Sequence, residues 1–74
     1  MTLNDLKRGE SATVLRIHGV SALRRRIMDM GVTHGCIVRV RNIAPLGDPI
    51  EIEVRGYRLC LRREDATTIE VKYD

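Results

Sequence analysis

The sequence predicts a mainly β domain, a small SH3-like barrel of about five strands with one short α-helix between the first two. Three observations predict it. Apolar and polar residues alternate with period two over Ile37 to Ile43, Ile50 to Val54 and Tyr57 to Leu61. Glycine- or proline-bearing turns punctuate these runs. A chain of 74 residues is also too short for a sandwich of two independent sheets, whereas a strongly bent, closed sheet leaves few bare edges. Residues 1–74 therefore read as one domain. Its core is necessarily aliphatic, because the chain has no Trp and no Phe and only two tyrosines, Tyr57 and Tyr73.

The elements follow in order. Leu3 and Leu6 are three apart, as on one helical turn, and are expected to plug one end of the core. Ala12 to Ile17 is the first strand. Ala12 and Val14 share one phase and Ile17 has the other, so a bulge is expected near Leu15–Arg16. Ser21 reads as a helix N-cap for Ala22 to Met30, with Leu23, Ile27 and Met30 at i, i+4 and i+7 on one face. Gly31 stands where a left-handed residue closes a helix, and Val32 is placed to pack back onto Ile27 as in a Schellman ending. His34–Gly35 is a turn. Ile37 to Ile43 is the second strand, with Val38 and Val40 inward and Arg39 and Arg41 outward.

Ile50, Ile52 and Val54 alternate with Glu51, Glu53 and Arg55. Across a two-residue turn at Arg55–Gly56, Val54 should pair with Tyr57, Ile52 with Leu59 and Ile50 with Leu61. The same register sets Glu51 opposite Cys60 and Glu53 opposite Arg58. Glu64-Asp65-Ala66 forms one short turn, and Thr67 to Tyr73 is the last strand, with Ile69 and Val71 inward.

Between the second and third strands lies Ala44-Pro45-Leu46-Gly47-Asp48-Pro49. Each proline fixes φ near about −65° and removes a donor, so this hairpin loop is stiff for its length. Its one large apolar side chain, Leu46, either meets a partner at the loop tip or folds back over the barrel end.

Composition excludes several function classes. No apolar run approaches the ~18–20 residues of a membrane span, and the N-terminus lacks the basic-then-apolar pattern of a secretory signal. The expected compartment is the cytoplasm, where Cys36 and Cys60, without C-x-x-C spacing or a paired histidine motif, are expected as free thiols. There is no G-x-x-x-x-G-K-[ST] and no G-x-G-x-x-G, hence no readable nucleotide site. His18, His34, Cys36 and Cys60 are the candidate metal ligands, but Cys60 falls on the outer face, and no metal site or cofactor is assigned. No spacing links Ser11 or Ser21 to a histidine, so no catalytic residue is assigned and enzymatic activity is not expected.

Net charge is +3, and eleven of the thirteen cations are arginine. Arg24, Arg25 and Arg26, with Arg39, Arg41, Arg58 and Arg62, give an alternative reading as a small-barrel RNA-binding protein. Against it, aromatics for base stacking are almost absent, and Glu51 and Glu53 interrupt the basic face. No nucleic acid is expected as a partner. A protein-binding module fits better, with Leu46 as an apolar anchor that loses little entropy on binding.

The helix end Arg26-Ile27-Met28-Asp29-Met30-Gly31-Val32, Gly35, the loop Ala44 to Pro49, the hairpin Ile50 to Leu61 and the ending Leu59 to Ala66 followed by Ile69-Glu70-Val71 resemble the ferrous iron transport protein A (FeoA) family over nearly the whole chain. The resemblance implies an SH3-like barrel in the cytoplasm. It also implies a partner, the membrane ferrous iron transporter with a cytosolic GTPase domain (FeoB), with the membrane reached only through that partner. On this reading the chain is an accessory or regulator of iron uptake. Its partner-binding residues are expected to be Pro45, Leu46, Gly47, Asp48 and Pro49, with Arg24 and Arg25 as secondary polar contacts. Pro45 and Pro49 stiffen the loop, Gly47 permits its turn and Asp48 is expected to bond loop backbone. The sequence departs from the family pattern at His34, where the family often has proline, and at Cys36 and Cys60.

Overall fold

Five antiparallel strands form one sheet in the order β4-β3-β2-β1-β5. They are β1 (Ser11–Ile17), β2 (Ile37–Ile43), β3 (Ile50–Val54), β4 (Tyr57–Leu61) and β5 (Ile69–Tyr73). Helix α1 (Ser21–Asp29) joins β1 to β2, α2 (Arg63–Ala66) joins β4 to β5, and a 3-10 turn spans Leu3–Asp5. The computed structural model describes residues 1–73.

The β3–β4 register is the one that the Arg55–Gly56 turn requires, with Ile50, Glu51, Ile52, Glu53 and Val54 opposite Leu61, Cys60, Leu59, Arg58 and Tyr57. Arg55 (φ 52°) and Gly56 (φ 87°) both adopt left-handed backbone. That conformation matches the turn to the right-handed twist of the strands. Period-two alternation then delivers Val38, Val40, Ile50, Ile52, Val54, Ile69 and Val71 to one buried side, each fully buried side chain contributing about 1.5–3 kcal/mol. Leu3 and Leu6 are buried against this cluster and close its end.

The phase conflict in β1 is resolved where the sequence required it. Val14 pairs with Val71 and Arg16 with Glu70, leaving Leu15 as the extra residue of a bulge. A second shift between Val40 and Asn42 bends β2 against β3 at Arg41. Arg41 is only half exposed and reaches Glu53 at 3.5 Å.

The end of α1 is a Schellman motif. Val32 N–H donates to the Ile27 carbonyl (3.4 Å) and Gly31 N–H to that of Met28 (2.9 Å), with Gly31 at φ 99°. Ile27 and Val32 are both fully buried, which supplies the accompanying apolar contact. The helix start differs from expectation. Ser21 is the first helical residue, Val20 is the N-cap, and no side-chain cap bond forms. Ser21 and Ala22 are exposed, so the first-turn amides are open to solvent instead of depending on a side-chain cap. Met30 is the C-cap rather than the last helical residue. The last strand begins at Ile69, not Thr67, because Thr67 C-caps α2 and Thr68 N–H is drawn to the Asp65 carbonyl.

The two ends of the sheet are managed differently. The free edge of β5 is covered by the N-terminus, through a Thr2–Glu70 bridge and Val71 N–H to the Met1 carbonyl (2.9 Å). On the other side, two polar ties hold α1 to the β4–α2 segment. Tyr57 Oη donates to the Met30 carbonyl at 2.9 Å. One guanidinium nitrogen of Arg26 donates to both Asp65 oxygens at 3.1 and 3.2 Å.

Candidate partner-binding site

The loop from Ala44 to Pro49 closes the end of the β2–β3 hairpin. Its base is fastened by Ala44 N–H to the Pro49 carbonyl (3.1 Å), and its tip is a turn closed by Gly47 N–H to the Ala44 carbonyl (2.7 Å). Gly47 sits at φ 82° with open space where a Cβ would stand, so backbone conformation and not crowding calls for glycine there. Pro45 occupies the first corner of the turn, where its fixed φ is already suited. Leu46 follows, and it is 89% exposed. The leucine does not fold back over the barrel end.

Asp48 acts differently from expectation. Its Oδ1 accepts the backbone N–H of Arg63 at 3.0 Å, so it ties the loop to the start of α2 instead of bonding within the loop. Asp48 and Pro49 share a shallow cleft with Arg62, Arg63, Glu64 and Thr67. The surface around the leucine therefore carries both signs of charge, Arg62 and Arg63 beside Asp48 and Glu64. The sequence reading missed Arg62 and Arg63 as neighbours of the loop. Only the dipeptide itself, next to the acidic Glu64–Asp65 turn, hinted at it.

Arg24 and Arg25 are exposed on α1. They line one cleft together with Ser21, Met28 and Asp29, and neither shares a cleft with the loop. The structure thus gathers Pro45, Leu46, Gly47, Asp48 and Pro49 into one feature and leaves the two arginines on another face. Arg26, the third of the run, is used internally by Asp65.

On the outer face of the sheet, Arg39 stands opposite Glu53, and Glu53 opposite Arg58. Cations and carboxylates alternate across three strands, which breaks up a phosphate-binding track. Cys60 is exposed and Cys36 buried, both as free thiols. Among the described residues no three His, Cys, Asp or Glu side chains converge as a metal ligand set, and no helix is long and apolar enough to cross a membrane.

Comparison with known proteins gives the geometry a family. The FeoA domain model matches residues 1–73. A Fe(2+) transport protein A/Fe(2+) transporter FeoB fusion protein of Porphyromonas gingivalis is 42% identical over 72 residues, covering 97% of this chain and 8% of that protein. The chain therefore spans less than a tenth of this relative's length. The solution structure of FeoA from Chlorobium tepidum superposes with a TM-score of 0.91 at 42% identity, covering 99% of this chain and 70% of that one. The crystal structure of Stenotrophomonas maltophilia FeoA complexed with zinc, a procaryotic SH3 domain protein, has a TM-score of 0.84 at 32% identity, covering 97% and 89%. The mainly β, SH3-like architecture is thus shared with these structures. With the model matched along all but the last residue and the fold reproduced by its relatives, the chain belongs to the FeoA domain family.

Proposed function

We propose that this protein is a non-enzymatic cytoplasmic accessory of ferrous iron uptake that acts by direct contact with a membrane transporter of the FeoB type, including its cytosolic GTPase domain. The observation that carries the reading is Leu46. A large apolar side chain, 89% exposed, stands on a loop fastened at its base, at its tip and to α2. Such an anchor is ordered before binding, so little entropy is lost when it is buried. The Porphyromonas fusion protein joins Fe(2+) transport protein A and FeoB in one chain, which supports association of the two where they are separate. Pro45, Gly47, Asp48 and Pro49 shape the contact, and Arg62 and Arg63 flank it.

The test is a binding titration between this chain and the transporter's cytosolic region. Leu46→Asp should weaken binding at least tenfold while leaving thermal stability within about 0.5 kcal/mol, as for other surface substitutions. Unchanged binding would remove the loop from the interface. A salt series separates this reading from the RNA-binding one. Contact through several phosphates falls steeply with salt, whereas an apolar anchor persists.

A further inference from the structure

The bulge in β1 leaves Leu15 outside the strand pairing, while Ile17 pairs with the buried Ile69 and packs at the edge of the core. Leu15, the extra residue, and Ile17 are half-buried and form the floor of a cleft of ≈ 330 Å³ whose walls are Arg16, Arg24, Met28 and His34. Strand β1, helix α1 and the turn before β2 position its parts. Arg24 and Met28 are one helical turn apart on α1 and so stand side by side. His34 lies on the turn that hangs from Val14, through Val14 N–H to the Cys36 carbonyl (2.9 Å) and Gly35 N–H to the Val14 carbonyl (2.8 Å). Bulges re-aim side chains beside binding sites, and here the unpaired Leu15 and the partly buried Ile17 come to line one cleft with α1.

The chemistry of the cleft is one-sided. Its floor is aliphatic, and Met28 is 49% exposed with a flexible thioether that adapts to irregular apolar partners. The charged groups that line it are cations. Arg16 shares Glu70 with His18, and Asp29 lies in the adjoining cleft that Arg24 and Met28 also line. Arg24 enters none of the ion pairs among the described residues, so its guanidinium fork is free to take a carboxylate in bidentate fashion.

We infer that this cleft is a docking site for an acidic segment of a partner protein that carries an aliphatic side chain between its carboxylates. The aliphatic group fills the floor over Leu15 and Ile17, and the flanking carboxylates meet Arg24, Arg16 and His34. Charge complementarity selects this occupant, and the absence of any aromatic stacking platform in the lining disfavours nucleic acid. The site is independent of the Leu46 loop. The two lie at opposite ends of β2, a seven-residue strand, hence roughly 20 Å apart along it. Arg24, which shares no cleft with the loop, belongs to this second surface.

The experiment is an NMR titration of the full isotope-labelled chain with the synthetic peptide acetyl-EEDLLEE-amide at about 150 mM salt. Saturable amide shifts are expected at Leu15, Arg16, Ile17, Arg24, Met28 and His34. The serine peptide acetyl-EEDSSEE-amide should bind at least tenfold more weakly. Arg24→Glu and Met28→Ser should each weaken the leucine peptide at least fivefold, with amide dispersion retained because both side chains are exposed. Leu46→Asp should leave it unchanged, so that failure here and failure of the loop contact remain distinguishable. The inference is overturned by equal binding of the serine peptide, by shifts spread over Arg39, Arg58 and Arg62, by tighter binding of an oligouridine at the same cleft, or by no shift at millimolar peptide.

Discussion

Asp48 Oδ1 accepts the backbone N–H of Arg63 at 3.0 Å across fifteen residues of sequence. This bond makes the leucine-bearing loop and α2 one unit. Arg62, the local N-cap, provides no side-chain bond to α2, so the Asp48 carboxylate does that work from another element. Loss of an N-capping side chain costs about 0.5–2 kcal/mol. Asp48→Ala should therefore lower stability by that amount, or roughly 4–8 °C in Tm per kcal/mol for a domain this small. Asp48→Asn, which keeps an acceptor oxygen, should lose less. Hydrogen exchange adds a local readout, since the Arg63 amide should exchange faster in Asp48→Ala. Equal exchange in wild type and variant would mean that the tie is not populated in solution.

Gly31 and Tyr57 make a second pair. A Cβ built on Gly31 collides with the Tyr57 hydroxyl, and Gly31 holds φ 99°. Left-handed backbone alone costs a residue with a side chain about 1–2 kcal/mol, and Gly31→Ala should exceed that because the tyrosine must also move. Tyr57→Phe removes the bond to the Met30 carbonyl and should cost about 0.5–1.5 kcal/mol, toward the low end at a side chain that is 45% exposed. In a double-mutant cycle by urea unfolding, Gly31→Ala should cost less in the Tyr57→Phe background than in wild type. Strict additivity would count against the steric contact.

These two pairs mark the boundary of what the sequence discloses. Local signals were legible. The alternation of Ile50, Ile52 and Val54 with Glu51 and Glu53, plus a two-residue turn, yields the β3–β4 register residue by residue. The phase conflict between Val14 and Ile17 locates the bulge, and Gly31-Val32 locates the helix end. Tertiary polar partners were not legible. Asp48 with Arg63, Tyr57 with Met30 and Arg26 with Asp65 are separated by 15, 27 and 39 residues. A sequence of many arginines and carboxylates names donors and acceptors without saying which of them meet. The candidate site divides in the same way. The prolines and glycine of the loop foretold an ordered turn, and the structure adds that Leu46 is exposed. Grouping Arg24 and Arg25 with that loop depended on tertiary placement, and the structure sets them on another face.

The cysteines offer a direct check of the placement of β2 and β4. Cys60 is exposed and Cys36 is buried among core residues. Thiol reactivity requires access of the reagent to the sulfur. A chromogenic disulfide reagent should therefore modify one thiol per chain rapidly under native conditions, and the second only on a time course set by opening of the fold. Cys60→Ser should abolish the fast phase and leave the slow one. Two fast thiols would show that Cys36 is not enclosed by the sheet.

Acid titration should reveal the His18–Glu70 pair. His18 Nε2 and Glu70 Oε1 lie 2.7 Å apart, and Arg16 approaches the same oxygen at 3.6 Å. The hydrogen bond to His18 is the main influence holding the Glu70 carboxyl below its ordinary value of 4.5. Desolvation opposes it, and the positive charge of Arg16 reinforces it. A carboxyl whose proton is held more weakly in the folded state than in the unfolded chain makes stability rise with pH between the two values, because there the unfolded state binds more protons. The contribution of Glu70 is therefore complete above about pH 4.5 and is lost as pH falls through the lowered folded value. In urea unfolding from about pH 3 to pH 5, the advantage of wild type over Glu70→Gln should shrink as pH falls below about pH 4.5. His18→Ala should flatten the same acid limb, since it removes the leading cause of the shift. A difference between wild type and Glu70→Gln that does not vary with pH would mean that the carboxyl titrates alike in folded and unfolded chains, and the link between β1 and the start of β5 would then rest on backbone pairing alone.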